Sequence, residues 1–225
     1  MSKSDRITAT QRTLEPYPKL EQVLNRRTLQ RHLSAAIVKA ATHPTLPLYV
    51  YNYTSLCERR RTWDGVTTVT RGLVRDNKGL VIARPFQKFF GAEEKKTSAL
   101  RAIRWTDEWY AAEKLDGTMI TASNYFGHLL LATRGSFDAW QLARARALWP
   151  NNVLPEPGVT WVLEYVGPGN RIVVHYPEEK LYALGVIDNY TGTDLFDDLE
   201  SLYSHGFFRP QRASQGQAPC LPLRS

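Results

Sequence analysis

The N-terminal part of the chain has the spacing of apolar residues that is typical of an amphipathic helix. Between residues 16 and 43, apolar positions recur with helical spacing among polar ones, at Leu20, Val23, Leu24, Leu33, Ile37 and Val38. Pro44 follows this segment and cannot continue a helix. The pattern predicts one amphipathic helix or a pair of helices.

From residue 48 the pattern changes to the alternation that is typical of strands. LYVYNYT is the first such run, and two more cover residues 67–75 and 79–84. RDNKG between these two has the Asp, Asn and Gly residues of a hairpin turn, so we expect the two runs to pair. Strands are also predicted in 109–116, 118–135, 158–167, 171–177 and 180–189, and helices over 92–102 and 137–150.

These elements together predict an α+β fold with mainly antiparallel sheets and a few covering helices. Residues 1–208 form a single domain in this interpretation. From residue 209 the sequence RPQRASQGQAPCLPLRS is rich in Pro, Gln, Ala and Ser and has no periodicity. It predicts a tail that is disordered or foreign to the fold.

Composition and charge narrow the class of protein. No apolar run is long enough to cross a membrane, and MSKSDRITATQR lacks the apolar core of a secretory signal. We therefore expect a cytoplasmic protein, or one in the host cytosol or nucleus if it is viral. The two cysteines lie far apart and indicate neither a disulfide framework nor a zinc site. A net charge of +7 favours nucleic acid as a partner, although it is also compatible with a merely basic surface.

The stretch WYAAEKLDGTMITAS, residues 109–123, places a lysine inside a strand-like run. On a strand, Lys114 and Asp116 would point to the same face, where two charges need each other or a ligand. A lysine whose pKa is lowered by a dry or cationic surrounding can act as a covalent nucleophile. Gly117 would let the chain approach a ligand closely. A surface strand with an intrastrand ion pair is the alternative.

Four further charged residues lie within or beside apolar runs at predicted strand ends: Arg71, Lys88, Arg134 and Glu164. Each has a structural explanation of its own. Arg71 could be a strand-end cation, Lys88 could lay its stem along an apolar surface, and Arg134 could be a turn residue. The carboxylate of Glu164 could pair with Arg171. Their occurrence together with the lysine of EKLDG favours a shared site.

These motifs resemble, in their identity and order, those of the covalent nucleotidyltransferases, and specifically the phage-type single-stranded RNA ligases that repair cut tRNA. The K-x-D-G and E-Y-V motifs are shared across that superfamily, whereas RPFQKFF and EYV-x-P-x-NRIV-x-x-Y are more specific to the RNA ligases. The resemblance extends over residues 16–202. It implies the fold of an ATP-grasp-like ligase adenylylation domain.

The resemblance also implies a reaction, with ATP and Mg²⁺ as cofactors and RNA with 5′-phosphate and 3′-hydroxyl ends as substrate. Lys114 would attack the α-phosphorus of ATP and form a lysine–AMP bond, and pyrophosphate would leave. AMP would then pass to the RNA 5′-phosphate, and the 3′-hydroxyl would displace it and seal the strand.

The same resemblance assigns roles to the other residues. Arg71 and Lys88 suit the triphosphate or the RNA end phosphate, and Arg134 suits the ribose or a neighbouring phosphate. Glu164 suits a ribose hydroxyl or the metal shell. In the motif itself, the main chain of Glu113 suits the adenine edge, and Asp116 and Gly117 belong to the nucleotide site.

One departure from the family pattern bears on activity. The family has two later motifs, an acidic E-G strand near the metal and a K-x-K strand at the phosphates, but this chain has no glutamate or lysine after Glu200. We therefore expect a domain that is incomplete at its C-terminal side and that a second polypeptide could complete. The alternatives are a catalytically inactive RNA-binding remnant and a GTP-using mRNA capping guanylyltransferase.

Overall fold

Two four-stranded antiparallel sheets and a two-stranded ribbon form the fold in the computed structural model, which describes residues 17–90, 109–195 and 198–216. The strands are Val38–Thr42, Leu48–Tyr53, Arg71–Asp76, Val81–Ala83, Trp109–Ala112, Thr118–Tyr125, His128–Thr133, Val159–Val166, Lys180–Asp188 and Arg212–Gly216, numbered β1 to β10. The first sheet has the order β1-β2-β3-β4 and the second β7-β6-β8-β9, and β5 pairs with β10. The helices are Leu20–Val23, Arg26–Ser34, Ser55–Arg60, Gly65–Val69, Trp140–Ala147 and Leu199–Ser204, numbered α1 to α6.

Local sequence explains the helices beside the first sheet. Asn25 begins α2 by accepting a hydrogen bond from the N–H of Thr28, and Asp64 begins α4 by accepting from the N–H groups of Val66 and Thr67. The predicted helix pair is confirmed as α1 and α2. Its predicted extent to residue 43 is wrong, because β1 begins at Val38 and pairs with β2.

The predicted hairpin is confirmed as the antiparallel pair β3 and β4. Its first strand is shorter than predicted, because residues 67–69 belong to α4. The capping residue Asp64 explains this difference, since it satisfies the first N–H groups of a helix where the β-branched residues alone favour a strand.

The two sheets pack face to face over apolar residues of both. This part of the core comprises Tyr17, Leu48, Val50, Val74, Ile82, Ala83, Leu130 and Ala132. Buried polar groups tie the sheets together as well. The N–H of Arg84 donates to Thr160 Oγ1, Thr160 donates to Asn189 Oδ1, and Asn189 Nδ2 donates to the carbonyl of Ile82. The arginine of RPFQKFF is therefore a structural residue between the sheets.

The strands of the second sheet follow the prediction except over residues 171–177. That segment follows a 3-10 turn at Pro168–Asn170 and contains no strand. Ile172, Val173 and Val174 are exposed by 63%, 73% and 46%. The apolar run favoured a strand, but the N–H groups of Val173 and Val174 are taken by a side chain instead of a neighbouring strand.

Two further predictions near the chain's end and around residue 110 are wrong in part. The predicted strand 109–116 ends at Ala112, so Lys114 and Asp116 do not share a strand face. The predicted tail without regular structure contains β10, which pairs with β5. The predicted helix over residues 92–102 and the last residues, 217–225, lie outside the described part of the chain. Within that part, no helix is both long and apolar enough to cross a membrane.

Candidate active site

The EKLDG motif forms the connection between β5 and β6. The N–H of Glu113 donates to the carbonyl of Gln211 over 3.0 Å, and the Glu113 carboxylate accepts from the N–H of Gln211 over 3.2 Å. This exchange ties the motif to the residue just before β10. The next side chain, that of Lys114, is exposed. The lysine is therefore positioned by its neighbours along the chain and can reach a ligand.

Gly117 lies at a point where the chain has no room for a side chain. A Cβ at this position would overlap the carbonyl oxygen of Tyr165 and come within 2.9 Å of Val166 Cγ1, both on β8. The N–H of Gly117 donates to Glu164 Oε1 over 3.0 Å. The glycine of the motif thus allows close packing on β8, while its N–H binds a carboxylate of the site.

Asp116 connects the motif to the loop formed by residues 171–177. Its Oδ2 accepts hydrogen bonds from the N–H groups of Val174 and Val173 over 2.8 and 2.6 Å, and its own N–H donates to the hydroxyl of Tyr176. These two backbone donors lower the pKa of the Asp116 carboxyl below its usual range. Asp116 therefore holds the loop in this structure, and its assignment to the nucleotide site stays a prediction.

Glu164 lies on β8 opposite Met119 of β6, beside the motif. Burial raises the pKa of the Glu164 carboxyl to about 7, although the N–H of Gly117 and the charges of Lys114 and Arg71 act in the other direction. The alternative of an ion pair with Arg171 is not formed, since Arg171 Nε donates to the carbonyl of Val173. Glu164 is therefore a half-buried acid between two of the predicted cations.

Arg71 is the first residue of β3 and is half-buried. Its Nη1 donates to the carbonyl of Phe86 and to Met119 Sδ, and its guanidinium lies 5.3 Å from the centre of the Phe89 ring. Burial lowers the pKa of Arg71, and the nearby charge of Arg134 lowers it further, while Tyr53 and Glu164 oppose that change. A cation placed in this way favours an anionic ligand.

The other two predicted cations lie against aromatic rings. Arg134 Nη1 donates to the Tyr53 hydroxyl over 3.3 Å, and the guanidinium lies 5.3 Å from that ring. Lys88 Nζ lies 4.7 Å from the Phe90 ring and 5.7 Å from that of Trp63. We call Arg71, Lys88 and Arg134 the cation cluster.

Aromatic contacts link the members of the cation cluster to one another. Tyr53 and Trp63 meet edge to face with ring centres 5.0 Å apart, and Trp63 and Phe90 do so at 5.4 Å. Tyr53 and Trp63 were not predicted from the sequence. LYVYNYT predicts a strand but does not indicate which of its tyrosines faces an arginine that follows more than eighty residues later.

Gly72 brings the two sheets together beside the cation cluster. Its φ of +98° is a backbone conformation that glycine adopts readily, and an added Cβ would come within 3.4 Å of Met119, Pro85 and the main chain of Arg134. This close approach places the start of β3, the start of β6 and the end of β7 side by side. The structure therefore brings Arg71, Arg134 and Glu164 to one region, next to the segment that contains Lys114.

The fold is similar to that of nucleotidyltransferase-type ligases. Two solved structures, forms 2 and 1 of an archaeal ATP-dependent RNA ligase, match with TM-scores of 0.63 and 0.61 at 15% and 14% identity. Each match covers 87% of this chain and 52% of the archaeal one. At this low identity the likeness establishes the fold, which is that of the ATP-dependent ligases.

The family is established by sequence. The RNA ligase family's sequence model matches residues 69–205, more than half of the chain, and these contain every motif discussed above. A protein of Thermovibrio ammonificans with a provisional RNA ligase name is 31% identical over 152 residues, which are 63% of this chain and 40% of that protein. The chain thus belongs to the phage-type RNA ligase family, and it spans about half the length of these relatives.

Proposed function

We propose that this chain is the adenylyltransferase part of an ATP-dependent RNA ligase, with Lys114 as the nucleophile. The observation on which this proposal depends is the position of Glu164. Its carboxylate binds the N–H of Gly117 and lies in the electrostatic field of both Lys114 and Arg71. The nucleophile's segment and the cation cluster are therefore parts of one site.

The reaction proceeds in three transfers. The Lys114 amine, having lost a proton, attacks the α-phosphorus of ATP, so that an N–P bond forms and the bond to pyrophosphate breaks. An oxygen of the RNA 5′-phosphate next attacks the same phosphorus and releases the lysine. Finally the RNA 3′-hydroxyl loses its proton, attacks the 5′-phosphate and expels AMP, which seals the strand.

The cation cluster suits the charge that moves in these steps. In phosphoryl-type transfers catalysis consists mostly of positioning and of neutralising the charge on the leaving oxygens. We assign Arg71 and Lys88 to the triphosphate or the RNA end phosphate, and Arg134 to the ribose or a neighbouring phosphate. The main chain of Glu113 is assigned to the adenine edge, although its N–H is bonded to Gln211 in this structure.

Glu164 is assigned to a ribose hydroxyl or to a Mg²⁺ ion. Within the described ranges no three His, Cys, Asp or Glu side chains come together as a metal site. Mg²⁺ is usually held by one or two carboxylates together with substrate phosphates and water, and the single carboxylate of Glu164 fits that arrangement. The ion would neutralise phosphate charge, and the role of the chain would be to supply this one ligand.

The RNA substrate is inferred from the family and from charge. A net charge of +7 favours a polyanion, and affinity that depends on such charge falls steeply with salt. We assign RNA with 5′-phosphate and 3′-hydroxyl ends, such as a cut tRNA, as the substrate. Since the relatives are about twice as long, a second segment with E-G and K-x-K motifs is included in this proposal as a partner in the reaction.

Labelling with radioactive nucleotide tests the proposal. The chain, alone and together with the second segment, is incubated with α-labelled ATP or GTP and Mg²⁺ and separated on a denaturing gel. We expect covalent label from ATP that disappears in Lys114→Ala. It should also be absent in Lys114→Arg, because a guanidinium stays protonated. Lys39→Ala, which removes an exposed lysine of β1, is the control and should label normally.

The other outcomes identify the two alternatives. Label from GTP in place of ATP would indicate a capping guanylyltransferase. No label from either nucleotide, together with salt-dependent binding of 5′-phosphorylated RNA, would indicate an RNA-binding remnant.

A further inference from the structure

Tyr53 contacts one member of the cation cluster directly and lies beside a second. Arg134 Nη1 donates to the Tyr53 hydroxyl over 3.3 Å. Arg71 lies close enough to both residues for their charge interactions to affect its pKa. The two arginines come from different sheets, since Arg71 begins β3 and Arg134 follows β7. The Tyr53 side chain of β2 therefore lies beside guanidinium groups that the chain brings together from both sheets.

Two guanidinium groups so close together repel each other, and the mutual effect is seen at Arg71, whose pKa is lowered in part by Arg134. The Tyr53 oxygen accepts from Arg134 and thereby holds one of the two groups in place. The Tyr53 ring also faces the Arg134 guanidinium at 5.3 Å, which favours the cation further. Tyr53 thus offsets a repulsion that would otherwise drive the two arginines apart.

The position of Tyr53 is itself fixed. The side chain is 5% exposed, and its ring meets the edge of Trp63. Its N–H donates to the carbonyl of Thr70, the residue before Arg71, over 2.8 Å, and the residue pairs with Val38 across the sheet. Both the main chain and the ring are therefore held before any ligand arrives, as a preorganised site requires.

We propose that Tyr53, supported by Trp63, is a positioning residue that holds Arg71 and Arg134 at one spacing for binding the linked phosphates of the nucleotide. This inference rests on the proposed function, since it takes the cation cluster to bind phosphate. It goes further by assigning the spacing of the cations to Tyr53, a residue that does not itself contact the phosphates. The preference for a polyphosphate over a single phosphate would follow from that spacing.

The same strand offers a matched control. Tyr51 is also buried, at 2% exposed, its hydroxyl accepts a hydrogen bond from Arg75 Nε, and its ring lies 5.5 Å from the Arg75 guanidinium. Arg75 is not part of the cation cluster. Tyr51→Phe therefore removes a tyrosine–arginine hydrogen bond of the same kind from the same strand while leaving the site alone.

The experiment measures the affinity of the full chain for inorganic tripolyphosphate and for inorganic phosphate by titration calorimetry at fixed salt. For Tyr53→Phe we expect tripolyphosphate to bind about tenfold more weakly, which is the usual size of the loss of one hydrogen bond to a charged group. The ratio of tripolyphosphate to phosphate affinity should fall by nearly the same factor. Tyr51→Phe should change both affinities by less than about twofold.

The outcomes separate this inference from the proposed function. If Arg134→Ala weakens tripolyphosphate binding and Tyr53→Phe does not, the positioning role is wrong while the site assignment stands. If Tyr53→Phe lowers both affinities equally, its effect is general and the inference is likewise overturned. If Arg71→Ala and Arg134→Ala both bind tripolyphosphate as the unmodified chain does, the cation cluster is not a phosphate site and the proposed function itself fails. A melting curve for each variant identifies any that does not fold, and Trp63→Phe then replaces Tyr53→Phe, with a smaller loss expected in the same ratio.

Discussion

The two halves of the candidate site are held in different ways. On one side, the segment from Glu113 to Gly117 is positioned by main-chain hydrogen bonds to Gln211, Glu164 and the loop 171–177, and Lys114 itself is exposed. On the other side, each member of the cation cluster lies against aromatic rings. Arg134 faces Tyr53, Lys88 faces Trp63 and Phe90, and Arg71 faces Phe89.

The proposed function accounts for this difference. Phosphate charge is neutralised best by cations that need no rearrangement when the ligand binds, and buried aromatic contacts provide such a fixed arrangement. A nucleophilic lysine forms and breaks a covalent bond in turn, so its side chain has to move while its main chain remains fixed. Variants on the two sides should therefore differ in kind as well as in size.

The largest effect is expected for Gly117→Ala on the lysine side. The added Cβ would overlap the Tyr165 carbonyl, so the motif would have to move away from β8 and the N–H bond to Glu164 would break. A displacement of about 1 Å commonly costs about 10²-fold in rate. We expect a loss of at least that size in lysine–AMP formation, measured by labelling over time.

Gly65→Ala is the matched control for this substitution, because a Cβ at that position would meet nothing within 4 Å. It should leave the labelling rate nearly unchanged. A Gly117→Ala chain that labels as fast as Gly65→Ala would show that the lysine side is not held by its main chain, and the comparison between the two halves would no longer apply.

A smaller effect is expected for Asp116→Asn. The carboxylate holds the N–H groups of Val173 and Val174, and a neutral amide oxygen accepts such bonds more weakly. We expect about a tenfold slower labelling, because a charged acceptor holds such hydrogen bonds more strongly than a neutral one. Binding of tripolyphosphate should not change, since the cation cluster lies on the other side.

Asp198→Asn serves as the control for Asp116, because its exposed side chain makes no capping hydrogen bond at the start of α6. Labelling by this variant should equal that of the unmodified chain. If Asp116→Asn weakened tripolyphosphate binding as much as it slowed labelling, the two halves would be coupled more tightly than their contacts indicate.

The last predicted change is in stability and not in rate, and it concerns the pH dependence at Glu164, which interacts with both halves. The pKa of this carboxyl is raised to about 7, so the folded chain holds a proton that the unfolded chain has already lost. Its contribution to the free energy of unfolding is therefore most favourable below the ordinary pKa of about 4.5 and is lost as the pH rises through 7.

Glu164→Gln should remove this dependence. Between pH 5 and 8, we expect the unmodified chain to lose up to about 3 kcal/mol of stability relative to the variant, as measured by urea unfolding. Glu179→Gln is the control, because hydrogen bonds from Arg144 and Tyr165 lower the pKa of Glu179, so its contribution is lost only at lower pH. Parallel curves for Glu164→Gln and the unmodified chain over this range would contradict the burial of Glu164 as described.

Much of the site could be predicted from sequence, because local chemistry determines it. The motif residues Lys114, Gly117 and Glu164 were predicted from residue type and order, and they lie within residues 69–205, which the family match covers. Their roles stay predictions. The hairpin around RDNKG also depends on nearby residues alone. In such cases the covalent geometry of a short segment leaves few alternatives.

Only the tertiary structure decided the features that depend on distant partners. RIVVHYP has the pattern of a strand, but Asp116, more than fifty residues earlier, takes two of its N–H groups and the segment becomes a loop. Residues 212–216 have the composition of a tail, yet the free edge of β5 makes them a strand. Tyr53 was missed for the same reason, since its importance depends on two arginines brought from separate sheets. Hydrogen-bond partners and charges at long sequence separation are set by packing, and a pattern of hydrophobic and polar positions contains no information about them.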